Sequence, residues 1–126
     1  MESLYREELL EHIKNPLNKG LLSSPDAEVI EKNPMCGDII KMQIKVAEGK
    51  VAEIGYDGEA CGVCIAAASI LTDKVLHEKF DINIAKGFSK QDLLDLIGIE
   101  LTTSRIKCAM LPLEALKNSI KIYEQK

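Results

Sequence analysis

Four cysteines and one aspartate are the residues of this chain whose types and spacing suit metal or sulfur chemistry. Cys36 lies two residues before Asp38, Cys61 and Cys64 form a Cys-x-x-Cys pair, and Cys108 stands alone later in the chain. Thiolates bind soft metal ions, and cysteines that are distant in sequence can form a site that exists only in the folded protein. The pattern therefore predicts a metal or sulfur site assembled from three segments.

The Cys-x-x-Cys pair lies at the predicted start of a helix. Cys61 comes directly before the helical pattern, where free backbone N–H groups and the helix dipole stabilise a thiolate. Gly58 and Gly62 are close to it and permit an unusual backbone and a close approach. Cys64 falls within the helix and is interpreted as a small core residue, with a dithiol formed with Cys61 as the alternative.

Cys108 is predicted to lie at a junction between elements. Pro112 is a favoured first-turn residue, and the last helix is predicted to begin near it. Arg105 and Lys107 are close to Cys108 in sequence, and their positive charges are expected to lower the pKa of its thiol. The alternative for these two basic residues is a solvated helical face.

Asp38 leans toward the packed face of a predicted strand. It has the same parity as the apolar positions of that strand, which are Ile40, Met42, Ile44 and Val46. A carboxylate on a packed face is costly unless it is paired or bound to a cation. A turn-capping role after Gly37 is the alternative, and the closeness of Cys36 favours the metal or sulfur site.

The elements that must position these residues follow from the hydrophobic pattern. The predicted helices, with apolar residues at helical spacing, cover residues 4–14, 62–77 and 89–97, and a last one starts near 112. The predicted strands, with alternating patterns, cover residues 27–32, 38–46 and 52–56, and Asp57-Gly58 is expected to end the third. Ser89 is a plausible N-cap and Gly98 a plausible helix end. This order predicts an α+β fold: a small three-stranded antiparallel sheet with helices packed on one face and an N-terminal helix.

Length and composition favour a single domain over residues 1–126. Aromatic residues make up only 4% of the chain, which predicts a mainly aliphatic core, and the net charge of −4 argues against a nucleic-acid partner. The acidic N-terminus is unlike a signal peptide, and the longest apolar stretch, residues 65–71, is too short to span a bilayer. We therefore expect a cytoplasmic protein with no membrane partner, in which the thiols stay reduced.

Three motifs in order resemble those of the iron–sulfur cluster assembly scaffolds of the IscU, SufU and NifU N-terminal type. The motifs are Asn-Pro-Met-Cys-Gly-Asp at residues 33–38, Gly-x-x-Cys with an Ala/Ser-rich helix at 58–69, and the segment 105–111. Residues 5–20 are similar to the first helix and following turn of that family. The resemblance thus covers nearly the whole chain.

The resemblance implies a scaffold or carrier rather than an enzyme. It implies that Cys36, Cys61 and Cys108 are the ligands of a transient [2Fe-2S] cluster and that Asp38 is an auxiliary ligand or tunes cluster release. It also implies that a cysteine desulfurase supplies sulfur as a persulfide, for which Cys108 and Cys36 are the candidate acceptors. The assembled cluster would then pass to apo-proteins.

Two departures from the family bear on its branches. Lys107 stands where the IscU branch has a histidine, as in the SufU branch, and residues 101–105 lack the chaperone-recognition segment of the IscU branch. The long insertion that SufU proteins carry before the last cysteine is largely missing. The residues therefore leave the branch open.

Two other functions are compatible with the residues. Three cysteines and one aspartate can bind zinc tetrahedrally, as SufU-type proteins are thought to do. The chain would then be a zinc-binding sulfur acceptor that stimulates a cysteine desulfurase, with a sulfur-transferase-like role. The Cys61-x-x-Cys64 pair alone is compatible with a redox enzyme, but that function leaves Cys36, Asp38 and Cys108 unexplained.

Overall fold

Within residues 2–126, three strands form one antiparallel sheet in which strands that are consecutive in sequence are neighbours. The structure is a computed structural model that describes the backbone of residues 2–126 and the side chains of residues 4–126. The strands are β1 (Ala27–Asn33), β2 (Asp38–Ala47) and β3 (Lys50–Glu59). Antiparallel strands can be joined by short turns, and four residues connect β1 to β2 while two connect β2 to β3.

In the described part of the chain, five helices accompany the sheet. They are α1 (Glu2–Lys14), α2 (Gly62–His77), α3 (Ile82–Gly87), α4 (Lys90–Ile97) and α5 (Thr103–Glu124). α5 packs on β1 and β2, α2 packs on β3 and on α5, and α1 packs on α2. The predicted α+β fold, with a three-stranded antiparallel sheet, helices and an N-terminal helix, is confirmed. No helix within residues 2–126 is long and apolar enough to cross a membrane.

The core between the sheet and the helices is mainly aliphatic. The predicted inward face of β2 is confirmed, because Ile40, Met42 and Ile44 are fully buried. Tyr56 of β3 is also fully buried, and its hydroxyl donates a hydrogen bond of 2.7 Å to the carbonyl oxygen of Leu17. Burial raises the pKa of Tyr56 to about 12. The core thus holds in place β2 and β3, the strands next to Cys36 and Cys61 in sequence.

Hydrogen bonds attach α1 and its following turn to α2. His12 Nδ1 lies 2.6 Å from Ser69 Oγ, and the backbone N–H of Leu17 donates to the same oxygen at 2.8 Å. Asn18 donates to Thr72 Oγ1 at 3.1 Å. His12 and His77 lie among charged residues on predicted helices, which predicts that both are at the surface. His77 is exposed, whereas His12 is half-buried and takes part in this network.

The last helix begins earlier than the sequence predicts. α5 starts at Thr103, and the side chain of Thr102 caps it by accepting a hydrogen bond from the backbone N–H of Arg105. Pro112 lies inside the helix, where it cannot donate to the carbonyl oxygen of Cys108. Its ring is fully buried, and packing against the core outweighs the lost hydrogen bond. The prediction of a helix start near Pro112 is therefore wrong.

Two smaller differences from the prediction are the end of β3 and the presence of α3. β3 runs through Asp57 and Gly58 to Glu59, because Gly58 stays paired with Ile40 of β2 at a φ of +152°. α3 has no predicted counterpart. Its N-cap, Asp81, accepts a hydrogen bond from the backbone N–H of Ile84 at 2.8 Å. Six residues are too few for a clear helical period.

Candidate metal centre

Ligand atoms from three elements converge at one end of the sheet. Cys36 Sγ, a carboxylate oxygen of Asp38 and Cys108 Sγ all lie within 4.8 Å of one another. Cys36 lies in the β1–β2 connection, Asp38 is the first residue of β2, and Cys108 lies in the second turn of α5. The sulfur atoms of Cys36 and Cys108 are 3.1 Å apart. Residues 72 positions apart in sequence are therefore neighbours at this site.

Asp38 is buried with half of its carboxylate unsatisfied. Its side chain is 3% exposed, and Oδ1 accepts a hydrogen bond of 2.8 Å from the backbone N–H of Cys61. Oδ2 has no hydrogen-bond partner. Among the buried side-chain oxygen and nitrogen atoms in the described part of the chain, it is the only one without a partner. A buried unpaired carboxylate oxygen is costly. A cation held together with Cys36 and Cys108 would satisfy it.

The loop that carries Cys36 is a tight turn built on Asn33. The backbone carbonyl oxygen of Asn33 accepts from the N–H groups of Cys36 at 3.2 Å and Gly37 at 2.8 Å. Gly37 has a φ of +73°, a conformation that favours glycine. The turn leaves Cys36 exposed to solvent, while Asp38 and Cys108 are buried. The site is thus reachable from one side.

Asn33 is a site residue for which the sequence gives little signal. It is buried, its Nδ2 lies 4.0 Å from Cys108 Sγ as a weak donor, and its Oδ1 accepts from the N–H of Met35 at 3.2 Å. One side chain therefore links the Cys36 turn to the thiol on α5. The signal in the sequence is an asparagine before proline, which is typical of any turn.

Cys61 lies beside the convergent group rather than within it. It is the N-cap of α2, as predicted, with extended backbone and no capping hydrogen bond from its side chain. Its sulfur is not part of the set whose ligand atoms all lie within 4.8 Å. Its backbone N–H nonetheless donates to Asp38 Oδ1 at 2.8 Å, and its thiol is one of the groups that raise the pKa of Cys108.

The environment of Cys108 differs from the prediction. The residue lies within α5 rather than at a junction, and it is 1% exposed. Burial raises the pKa of its thiol, and the neighbouring Cys36, Asp38 and Cys61 side chains raise it further. Arg105 and Lys107 do not lower this pKa. Both are exposed, and the Lys107 ammonium lies 3.8 Å from Met35 Sδ.

Cys64 is fully buried in the first turn of α2, in agreement with its interpretation as a core residue. Burial raises the pKa of its thiol, and the nearby Asp38, Cys61 and Cys36 raise it further. It is not a member of the convergent group. The thiol is therefore a buried neighbour of the site that contributes no ligand atom to the convergent group.

The donor set suits a soft or borderline transition-metal ion. Two thiols, a third thiol beside them and one carboxylate oxygen correspond to the ligand types of zinc and of iron–sulfur sites. The unpartnered Asp38 Oδ2 is the observation that a bound cation would explain. The structure brings Cys36, Asp38 and Cys108 together, and the ligand roles of these residues and of Cys61 stay predictions.

Known proteins resemble this chain over nearly its whole length. It is 31% identical to the zinc-dependent sulfurtransferase SufU of Bacillus subtilis, over 95% of this chain and 91% of that protein. It is 32% identical to the iron–sulfur cluster assembly scaffold protein IscU of Escherichia coli K12, over 97% of this chain and 95% of that protein. Similarity to two branches at 31% and 32% identity agrees with the open branch assignment.

Solved structures and a family model agree with these relatives. A nitrogen-fixing NifU-like protein (N-terminal) from Brucella abortus has the same fold, with a TM-score of 0.78 at 20% identity. The match covers 99% of this chain and 97% of that one. The model of the NifU-like N-terminal domain matches residues 4–126. The chain belongs to the NifU-like N-terminal domain family, as its three motifs predict.

Proposed function

We propose that this protein is a scaffold on which an iron–sulfur cluster is assembled and from which the cluster passes to apo-proteins. The observation that carries the proposal is the buried Asp38 carboxylate with an unpartnered oxygen beside the thiols of Cys36 and Cys108. A relative at 32% identity is named as such a scaffold. The cluster is the cargo of this protein, with Cys36, Cys61, Cys108 and Asp38 as its proposed ligands.

The exposures of the cysteines support an order of events. Cys36 is exposed on its turn, whereas Cys108 is 1% exposed. A sulfur donor, which we take to be a cysteine desulfurase, therefore meets Cys36 first. The 3.1 Å between the two sulfur atoms allows sulfur to move from Cys36 to Cys108 without a large backbone movement. Both thiols must be reduced, and we place this work in the cytoplasm, where thiols stay reduced.

Anaerobic reconstitution tests the proposal. The metal-free chain is mixed with ferrous iron, a cysteine desulfurase, L-cysteine and dithiothreitol, which supplies the electrons that reduce persulfide sulfur to sulfide. Optical and Mössbauer spectra follow cluster formation. We expect a [2Fe-2S] spectrum on the wild-type chain and its loss in Cys36→Ser and Cys108→Ser variants. Transfer to an apo-ferredoxin then tests the carrier role. A chain that forms no cluster, or forms one equally well without Cys36 and Cys108, would refute it.

The second candidate is a zinc-binding sulfur acceptor. The number and type of the donors match a tetrahedral zinc site, and a relative at 31% identity is named a zinc-dependent sulfurtransferase. On this proposal, zinc orders the site, and the chain accepts sulfur from a cysteine desulfurase without building a cluster. Bound zinc in the purified protein is compatible with both candidates.

Desulfurase stimulation separates the two candidates. The turnover of the desulfurase is measured with zinc-loaded chain, with chain treated with a chelator, and after zinc is restored. A stimulation that is lost and regained with zinc, without cluster formation, supports the sulfur acceptor. Cluster formation and transfer that do not need zinc support the scaffold.

A further inference from the structure

We propose that Cys61 and Cys64 are a redox-active dithiol in which Cys64 reduces a persulfide carried on Cys61, so that sulfide is released at the site. This inference rests on the proposed function, because assembly of a cluster from persulfide sulfur needs two electrons per sulfur. The pair lies at the N-terminus of α2, where Cys61 is the N-cap and Cys64 belongs to the first turn.

The backbone places the two residues within reach of each other. Cys61 is the N-cap of α2, and its carbonyl oxygen accepts from the N–H of Ile65 at 3.0 Å, which closes the first turn. Residues three apart on a helix have Cβ atoms about 5–6 Å apart. A disulfide needs Cβ atoms about 3.5–4.5 Å apart, so the pair requires a backbone shift of an ångström or more. Cys61 has extended backbone as the N-cap, and a shift there can bring the two residues to that distance.

The two thiols have different environments, as an attacking and a resolving cysteine require. Cys61 is partly exposed as the N-cap of α2, so a sulfur donor in solvent can reach its thiol. Cys64 is fully buried, so small oxidants and alkylating reagents in solvent do not reach it. Its reaction partner is therefore its neighbour Cys61.

Cys64 lies on a part of α2 that carries other small buried side chains. The same helix buries Ala66, Ala67 and Ala68, so this part of the core is filled by small side chains without reactive atoms. The carboxylate of Asp38 and the thiols of Cys36 and Cys61 are close enough to Cys64 to affect its ionisation. The thiol thus lies close to the residues of the metal centre.

The reaction balances without an added reductant. Cys64 Sγ attacks the inner sulfur of the Cys61 persulfide, a Cys61–Cys64 disulfide forms, and the bond to the outer sulfur breaks. The outer sulfur leaves with the electron pair of that bond and takes the Cys64 proton, which gives hydrogen sulfide. The sulfane sulfur is reduced by two electrons while two cysteine sulfurs are oxidised to a disulfide. A dithiol such as dithiothreitol restores both thiols.

The test isolates the pair in the full chain. A Cys36→Ser/Cys108→Ser variant keeps only Cys61 and Cys64, and the matched control also carries Cys64→Ser. Both metal-free variants are reduced, loaded anaerobically with inorganic polysulfide and freed of excess reagent. Sulfide release is then measured without reductant, and intact mass and peptide mapping follow the cysteines. Circular dichroism checks that both variants fold.

We expect the variant with Cys64 to release one sulfide per chain and to form the Cys61–Cys64 disulfide. The control should keep its persulfide and release sulfide at least about tenfold more slowly, because an intramolecular step becomes bimolecular. Equal release from both variants overturns the inference, as does a persulfide that persists beside Cys64 or fails to form. In the wild-type chain, a disulfide mapped only to Cys36 and Cys108 also overturns it.

A separate assay tests the proposed scaffold function independently of the dithiol. With dithiothreitol present, a Cys64→Ser single variant should assemble a cluster as well as the wild-type chain does, because the external dithiol supplies the electrons. Failure of both chains to assemble a cluster counts against the scaffold function. The sulfide measurement reports on the dithiol in either case.

Discussion

At the scale of the residue, the two carboxylate oxygens of Asp38 have different environments. Oδ1 accepts from the backbone N–H of Cys61, and Oδ2 is buried and free. An oxygen ligand matches soft iron less well than thiolates do. Such a ligand would hold a cluster firmly enough to assemble it and loosely enough to release it.

Asp38→Ala should therefore give a longer-lived cluster. We expect its absorbance to decay several-fold more slowly and its transfer to apo-ferredoxin to slow in parallel. Asp38→Asn is the matched control, because it keeps an oxygen that can accept from Cys61 but removes the carboxylate. A cluster of unchanged or shorter lifetime in both variants would contradict the proposed role of the carboxylate.

Asn33 is a positioning residue for the same site. Its side chain links the Cys36 turn to Cys108, and loss of such outer contacts typically costs about 10–100-fold in metal affinity. We expect a loss of this size for zinc in Asn33→Ala, measured by competition with a chromophoric chelator. Asn118→Ala is the control, because Asn118 hydrogen-bonds Glu31 away from the site. Equal affinities for the two variants would show that Asn33 does not position the ligands.

Cys64 should make the metal-free protein sensitive to alkaline pH. Burial raises the pKa of its thiol above the ordinary value of 9.0, so the unfolded chain loses this proton at lower pH than the folded chain. The free energy of unfolding then falls by about 1.4 kcal/mol per pH unit above the ordinary pKa because of this group. We expect Cys64→Ala to be less stable near neutral pH because of the cavity it leaves.

Urea unfolding with reductant, measured between about pH 8 and 11, checks this prediction. The stability of Cys64→Ala should decrease less steeply with pH than that of the wild-type protein. Part of the decrease should remain, because burial also raises the pKa of Cys108. Parallel curves for the two proteins would contradict the prediction.

These residues also show how much of the site the sequence reveals. The burial of Asp38 follows from strand parity, and the placement of Cys61 before a helix follows from the helical pattern, because both depend on local periodicity. The neighbours of Asn33 and the raised pKa of Cys108 depend on contacts across 75 and 72 residues. Nearness in sequence to Arg105 and Lys107 gives the wrong sign for Cys108, since those side chains extend into solvent.

At the scale of the element, the ends of strands and helices place the ligands. The capped helix α4 is predicted closely, because Ser89, Asp92 and Gly98 form its capping box and left-handed end. The start of α5 is not, because tertiary packing keeps Pro112 within the helix against its local preference. The sequence therefore predicts the ends of a helix where capping residues mark them. It does not predict an end that depends on packing against the core.

Gly58 at the end of β3 is an element-scale test of how Cys61 is placed. It has a φ of +152°, and an added Cβ would overlap the carbonyl oxygen of Ile39. Gly58→Ala should lower the free energy of unfolding in urea by at least about 1–3 kcal/mol, the usual cost of a strained backbone. It should also weaken zinc binding, because the segment leading to Cys61 must shift.

The control for Gly58 is Gly87→Ala at the end of α3. A Cβ at Gly87 meets no heavy atom within 4 Å, and its φ is not positive. We expect its stability to stay within about 1 kcal/mol of the wild-type value, with unchanged zinc affinity. If Gly58→Ala behaved like this control, the backbone at Gly58 would not be important for the site.

At the scale of the whole molecule, one apolar core connects all the segments that carry the site. The core cluster runs from Leu9 of α1 through the sheet to Ile120 of α5. We propose that residues 1–126 form a single domain that unfolds in one cooperative transition. Because the metal centre joins the β1–β2 turn, the start of α2 and α5, a bound ion should stabilise this whole unit.

Zinc should therefore raise the global stability of the chain. Only the folded chain brings the ligands together, so zinc at a free concentration 100-fold above its Kd should add about 2.7 kcal/mol. We expect a higher urea midpoint with an unchanged m-value, and coincident transitions by circular dichroism and tyrosine fluorescence. Cys36→Ser should unfold like the wild-type protein without metal, because Cys36 is exposed, but it should lose most of the gain from zinc. If zinc stabilised Cys36→Ser as much as the wild-type protein, Cys36 would not be a zinc ligand. The ion would then bind elsewhere in the folded chain.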